Sequence, residues 1–540
     1  EEADRLAEIG DFHTIEGSFP EHWSRLEELL LPKWGRRAHA LARKSEEWYE
    51  CAPGHAYWPG YRGLLESKGS GWAEALKSID SSTDKILNYM FDPSSYDSDL
   101  ESEDTKKYGL VVGYVQSGKT ANFTGLVSKS MDSGYNVILV LAGTTSNLRN
   151  QTQQRLQREI SLEGDEKLVW LTSKDVPKAE PGKFFSGDFG GEIERGKDGV
   201  PLHLPITPDE GTDQIFVGVL KKKDVRLGAL LHWVDSIDRN VRDNLNLLVI
   251  DDESDSASAD VGDASRASDT NARIRELLSR FDRRAYVGYT ATPYASVLTS
   301  PLSDKGLGPT LYPRDFIVAL AESSGYHGVA SYFSQDGALS GQVVPVGDGD
   351  AEEVAKPKIP DGWNVDNEHS DNIPRTLEDA IYSFFLTSAA KEIRRIGHEE
   401  GCGKTAPPRH HTMVIHNNMD TDEQAYVWKR VQNFIRKMRN EIQMAVSYIE
   451  LGLPVEGGET NPVNRMKSLW VEDFLGNEET KEGWDEVWPV MVERVESFSI
   501  EDRVLLINSK DDDDDTNVIP ARRQLDYDSY TDGADIIAVG

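Results

Sequence analysis

Between Gly109 and Tyr289 the chain contains six short apolar runs: Gly109–Val115, Asn136–Ala142, Lys167–Leu171, Gln214–Leu220, Leu245–Ile250 and Ala285–Tyr289. Each is followed by a polar or glycine-rich turn and then by a helix-like stretch. A strand with one solvated face alternates apolar and polar residues. Runs apolar at consecutive positions therefore belong to strands buried on both faces, and helices between them imply parallel pairing. The pattern predicts one doubly wound α/β domain over about residues 105–300.

The flanking segments read differently. Residues 1–95 carry Leu26, Leu29, Leu30 and Trp34 at three- and four-residue spacing, with aromatics at Trp48, Tyr57, Trp58 and Trp72 and no β-rich run, and predict a helical N-terminal domain. Asp92–Asp104 is a polar, acidic linker. Residues 301–375, rich in Gly, Pro and Asp, read as a connector with a few short strands. A helix over Leu377–Arg395, a strand at Thr412–His416, a helical insert over Thr421–Leu451, and strands at Val504–Asn508 and Ile536–Val539 predict a second α/β lobe over 376–540. The chain opens at Glu1 without Met and stops on the apolar run IIAVG, so a fragment of a longer protein, with this lobe truncated, is expected.

Composition narrows the function classes. With 59 Lys and Arg against 93 Asp and Glu, the net charge of −34 argues against a uniformly basic coat for nucleic acid or anionic membrane. Residues 471–516 alone hold 16 acids and 4 bases, and the run Asp511–Asp515 reads as a solvated loop. Two cysteines, Cys51 and Cys402, cannot build a disulfide framework. No apolar run approaches the length of a membrane span, and the N-terminus lacks the order of a signal peptide. A cytoplasmic protein without a membrane partner is expected.

The first apolar run ends in Gly113-Tyr-Val-Gln116-Ser117-Gly118-Lys119-Thr120, which fits G-x-x-x-x-G-K-[ST] at every fixed position in a strand-to-helix context. Glycines let the backbone curl until its N–H groups and a helix N-terminus face phosphates. Gly113, Gln116, Ser117, Gly118, Lys119 and Thr120 form the phosphate-binding set, with Lys119 reaching the β- and γ-phosphates and Thr120 a Mg²⁺ ion. Gly403-Lys404-Thr405 also ends in G-K-T, but the position five before Gly403 is His398 and no strand precedes it.

A second strand ends in Asp251-Asp252-Glu253-Ser254-Asp255. Phosphoryl transfer needs a carboxylate at a strand tip for the metal and a neighbour to polarise water. Asp252 suits the first role, Glu253 the second, and Asp251 is able to share the metal. The strand Tyr286–Tyr289 ends in Thr290-Ala291-Thr292-Pro293, whose hydroxyls suit hydrogen bonds to the acidic cluster and coupling to a neighbouring domain. Thr144, Arg149 and Arg155, after the second apolar run, and Lys221 and Lys222, after the fourth, are candidate contacts to a phosphate backbone. His410, His411 and His416 near Cys402 lack a metal-ligand spacing.

In this order the motifs resemble superfamily 2 helicase-type ATPases. The wording GYVQSGKTANF, LAGTTSNLRNQTQQRL, VIDDESDSAS and YVGYTATPYAS is similar to bacterial Z-1 domain proteins, helicase-like ATPases of restriction and anti-phage defence operons. The resemblance covers about residues 105–540, strongly in the first lobe and more thinly through TMVIHNN, LDY (Leu525–Tyr527) and IIAVG. It implies two RecA-like lobes, ATP and Mg²⁺ as cofactors, and DNA as the polymer acted on. It also implies partner subunits such as a MORC-like ATPase, a nuclease or a methylase, and an arginine finger in a segment past residue 540. A reading of another class is a nucleotide-gated switch or assembly subunit of a defence complex that never translocates.

Overall fold

The computed structural model describes residues 39–42, 47–51, 54–69, 72–95, 104–114, 118–143, 146–172, 214–256, 269–297, 309–322, 326–334, 336–399, 410–416, 418, 420–475, 480–507, 521–522 and 533–540. Gln116, Ser117, Thr144, the Asp511–Asp515 run and Leu525–Tyr527 lie outside them. Two compact units divide the chain, Glu1–Val343 and Val344–Gly540. Among the described residues no helix is long and apolar enough to cross a membrane.

Among the described residues the first unit holds an eight-stranded sheet: β1 (His39–Ala42), β2 (Lys106–Val112), β3 (Val137–Ala142), β4 (Leu168–Trp170), β5 (Ile215–Leu220), β6 (Asn246–Asp252), β7 (Arg283–Thr290) and β8 (Phe316–Ala319). Their order is β1-β8-β2-β7-β6-β3-β5-β4, with every pair parallel except β1 against β8. All six predicted strands form. Two more join at one edge: β8, in the connector where a few short strands are expected, and β1, from the stretch read as helical. Each has only four residues, too few to show periodicity.

Period-two alternation sorts each strand's side chains onto two faces. Ile138, Val140, Leu248 and Ile250 pack with α3 (Lys119–Asp132) and α4 (Ser146–Ile160). Val137, Leu139, Leu141, Leu247 and Val249 pack on the other face with α5 (Asp224–Ser236) and α6 (Asp269–Ser279). This double coverage is why the runs read as continuously apolar, and it is the doubly wound α/β arrangement the sequence predicts.

Helix α3 is buried from Ala121 to Met131, because helices α1 (Tyr57–Ser67) and α2 (Ala73–Tyr89) cover the side turned away from the sheet. Asp132, the last residue of α3, accepts from the N–H groups of Ala56, Tyr57 and Trp58 at 2.8, 3.1 and 2.7 Å, supplying α1 with the N-terminal acceptor its own Ala56 lacks. Lys129 is wholly buried, 2.6 Å from Asp80 and 2.5 Å from Asp84 of α2, with Nζ 4.2 Å from the Trp58 ring centroid. Lys129→Ala removes the cation that these carboxylates and the ring enclose. The expected cost is about 2–4 kcal/mol of stability, read from denaturant unfolding. A loss below about 0.5 kcal/mol would mean the cluster is surface-like.

The second unit holds an all-parallel sheet in the order β11-β10-β12-β9, made of β9 (His411–Ile415), β10 (Val504–Ile507), β11 (Ala521–Arg522) and β12 (Asp535–Val539). Helices α7 (Arg375–Glu399), α8 (Thr421–Glu450) and α9 (Trp484–Ser497) pack with it around Phe385, Val431, Met491 and Ile537. Asp420 caps α8 by accepting from the N–H groups of Asp422 and Glu423. The chain is thus mixed α/β, with a large and a small parallel sheet and helices near its N-terminus.

Candidate active site

Sheet register gathers the motifs. Val112 pairs with Thr290, Asp252 with Tyr289, and Ala142 with Asp252, so the carboxyl ends of β2, β7, β6 and β3 lie side by side. Open parallel sheets place ligands at this edge. Gly113 donates its N–H to the Thr290 carbonyl at 3.0 Å. A Cβ at Gly113 would lie 2.9 Å from Lys119 Cγ and 3.2 Å from Leu320 Cδ1, so the lysine stem passes where only glycine leaves room. Gly118, the residue before α3, has φ +90°, a left-handed conformation that favours glycine.

Lys119 is the first residue of α3 and Thr120 the second, in a first turn without carboxylates whose leading N–H groups have no intrahelical acceptor. Lys119 Nζ donates to the Tyr114 carbonyl at 3.0 Å. Burial lowers its pKa, while Asp252, Glu253 and Asp255 act in the opposite direction.

Strand parity separates the two aspartates. Asp252 follows Ile250 onto the α3/α4 face and lines a pocket of about 560 Å³ with Gly118, Lys119, Thr120, Glu253 and Asp255. Burial, then the neighbouring Glu253, raise its pKa to about 6 against the opposing pull of Lys222 and Lys119. Asp251 points to the other face and is completely buried. Its Oδ2 accepts from Tyr286 Oη at 2.6 Å and its Oδ1 lies 2.8 Å from Lys222 Nζ. A share in metal binding, expected for Asp251 from its position in the acidic run, is therefore corrected: the pleat turns it away from the pocket.

Glu253 is exposed and, among the described residues, the only non-glycine with positive φ, at 55°. Such backbone strain concentrates at functional sites. Asp255 accepts from Thr290 Oγ1 at 2.6 Å and from Thr292 Oγ1 at 2.5 Å, tying the end of β7 to the acidic turn. Sequence reasoning anticipated hydroxyls bonding this cluster but did not single out Asp255. The available signal was the fourth acid of D-D-E-S-D, two residues past Glu253.

The residue types fit a nucleotide triphosphate with its cation: a glycine cradle, a helix N-terminus, one lysine and one partly buried carboxylate. Mg²⁺ usually takes one or two protein carboxylates plus substrate phosphates and waters. Among the described residues no group of three His, Cys, Asp or Glu forms a closed metal cage.

The nucleic-acid candidates scatter. Arg149 is buried, donating from Nε to the Val219 carbonyl at 3.0 Å and from Nη2 to Gln153 at 3.3 Å; it braces α4 on the sheet. Lys222 is buried against Asp251. Both are corrected as DNA contacts, since neither head group reaches solvent. Arg155 lines the pocket and bonds Glu159 at 3.2 Å. Lys221 is half-buried at the end of β5.

Residues 376–540 match the Z1 domain. No curated protein matches the chain. Among solved structures, the DUF1998 helicase MrfA bound to DNA aligns at 11% identity and a TM-score of 0.27, over 56% of this chain and 34% of its own. The Pyrococcus furiosus Hef helicase domain aligns at 14% identity and a TM-score of 0.22, over 73% of this chain and 66% of its own. The chain thus spans about a third of MrfA and just under two thirds of the Hef domain. At these scores neither alignment bears on the site, which stands on its own geometry.

Proposed function

Proceeding from a chain whose residues 376–540 match the Z1 domain, we propose that it is a Mg²⁺-dependent, helicase-like ATPase acting on DNA. The observation that carries this reading is convergence on one pocket of Lys119 at a helix N-terminus with Asp252 and Glu253 at the tip of β6. Bound Mg·ATP supplies a phosphoanhydride open to attack by water. Lys119 and the N-terminus of α3 neutralise phosphate charge, and Gln116 and Ser117 complete the phosphate-binding loop. Asp252 and Thr120 hold the cation, and Glu253, exposed at the pocket wall, accepts the proton of the attacking water. Thr290 and Thr292, bound to Asp255, carry the state of the acidic turn to the end of β7 and couple it to lobe movement. A defence or restriction setting with a MORC-like ATPase, nuclease or methylase as partners is what the sequence resemblance implies.

Burial of Arg149 and Lys222 gives specific weight to the second reading, a nucleotide-gated switch or assembly subunit that does not translocate. Thr144, Arg155 and Lys221 remain candidate DNA contacts. DNA-stimulated turnover separates the two readings. A motor binds DNA at low salt, hydrolyses ATP faster with it, and loses affinity steeply as salt rises, in proportion to the phosphates it neutralises. ATP turnover indifferent to DNA at low salt supports the switch.

A further inference from the structure

We infer that Lys222 is a positioning residue that clamps the catalytic turn from beneath, holding the Glu253 backbone in the conformation that presents its carboxylate to the pocket. The inference rests on the ATPase reading above. Lys222 lies just past β5, and β3 intervenes between β5 and β6 in the sheet. Its own N–H donates to the Gly143 carbonyl at 3.0 Å, which anchors the main chain at the end of β3. The side chain then reaches the acidic turn.

An ammonium has three N–H donors. Lys222 Nζ has three oxygens around it: Asp251 Oδ1 at 2.8 Å, the Glu253 carbonyl at 2.6 Å and the Ser256 carbonyl at 3.2 Å. Both Lys222 and Asp251 side chains have no exposed surface, and Tyr286 occupies the other Asp251 oxygen. The ammonium faces inward, donating to the Glu253 and Ser256 carbonyls and ion-paired with Asp251.

Its geometric consequence is at Glu253. A left-handed backbone is disfavoured for a glutamate, and it persists only where surroundings over-determine it. The charge-assisted bond to the Glu253 carbonyl, with Ser256 N–H donating to the same oxygen at 2.9 Å, supplies that constraint. A buried ion pair adds little net stability over apolar residues of similar volume, so specifying a geometry is the stronger reason for its presence.

The test uses Lys222→Met combined with Asp251→Asn, which removes both buried charges while leaving Tyr286 an acceptor. In the nucleotide-free chain, amide exchange over residues 253–256 should be about tenfold faster than in the unaltered protein. With ATP, kcat should fall about 10–100-fold at unchanged KM, the signature of a misplaced group. Lys222→Gln, which keeps an amide donor toward the Glu253 carbonyl, should recover part of both losses. Wild-type exchange and kcat in the double variant, or equal losses in the Gln and Met variants, would overturn the clamp. Absence of turnover in the unaltered protein is instead a failure of the ATPase reading, and the nucleotide-free exchange measurement still decides the clamp.

Discussion

Lys119→Ala is expected to abolish ATP turnover and to weaken nucleotide binding at the same time. Lys119 stands at the start of α3, half-buried, with Asp252, Glu253 and Asp255 near enough to oppose the effect of burial on its charge. Its bond to the Tyr114 carbonyl keeps it folded back over Gly113, where a Cβ would collide with its stem. Alanine leaves the α3 N-terminus in place but removes the one full positive charge at the loop. Removing a single preorganised donor from developing negative charge commonly costs 10²–10³ in rate, about 3–4 kcal/mol; losing a full cation should cost at least that. Single-turnover hydrolysis and titration with a fluorescent ATP analogue check the two effects separately. Turnover within about threefold of the unaltered protein would exclude this pocket as the hydrolytic site.

The second large effect is at Glu253. Glu253→Gln keeps the side chain's length and shape but cannot accept a proton, so binding should persist while kcat falls about 10²–10⁴-fold. The substitution is clean because Glu253 is exposed, and the contacts that hold its left-handed backbone go to its carbonyl. Asp255→Asn is the informative companion. Asp255 is engaged by two threonine hydroxyls at 2.5–2.6 Å, so its loss should disturb coupling to β7 more than hydrolysis itself. Normal turnover in Glu253→Gln would remove it as the base.

Much of this was legible in sequence for identifiable reasons. A strand buried on both faces is apolar at every position, so six strands of the large sheet stood out without any partner being known. The glycine-rich loop and the acidic run were legible as motifs, because each sets particular residue types at adjacent positions. Strand β1 was not, and β8 only as one of a few unplaced short strands in the connector, since a four-residue segment carries no measurable period. The acceptor that Asp132 offers to α1 was equally hidden, because it comes from a helix about 75 residues away in sequence.

Direction was the other gap. Arg149, Lys221 and Lys222 look alike in sequence as cations following apolar runs, yet Arg149 turns onto the Val219 carbonyl, Lys222 turns under the acidic turn, and Lys221 is only half-buried. Asp251 and Asp252 are neighbours with the same carboxylate, and the pleat sends one to Tyr286 and Lys222 and the other to the pocket. The amino-acid sequence by itself determined the α/β class and where the glycine-rich loop and the run of acids fall, because apolar periodicity and glycine's backbone freedom are local properties. Only the tertiary structure decided which charged groups face a ligand and which brace the frame. That choice depends on strand order and register, which bring β5, β3, β6 and β7 tips within reach of one another across more than a hundred residues of chain.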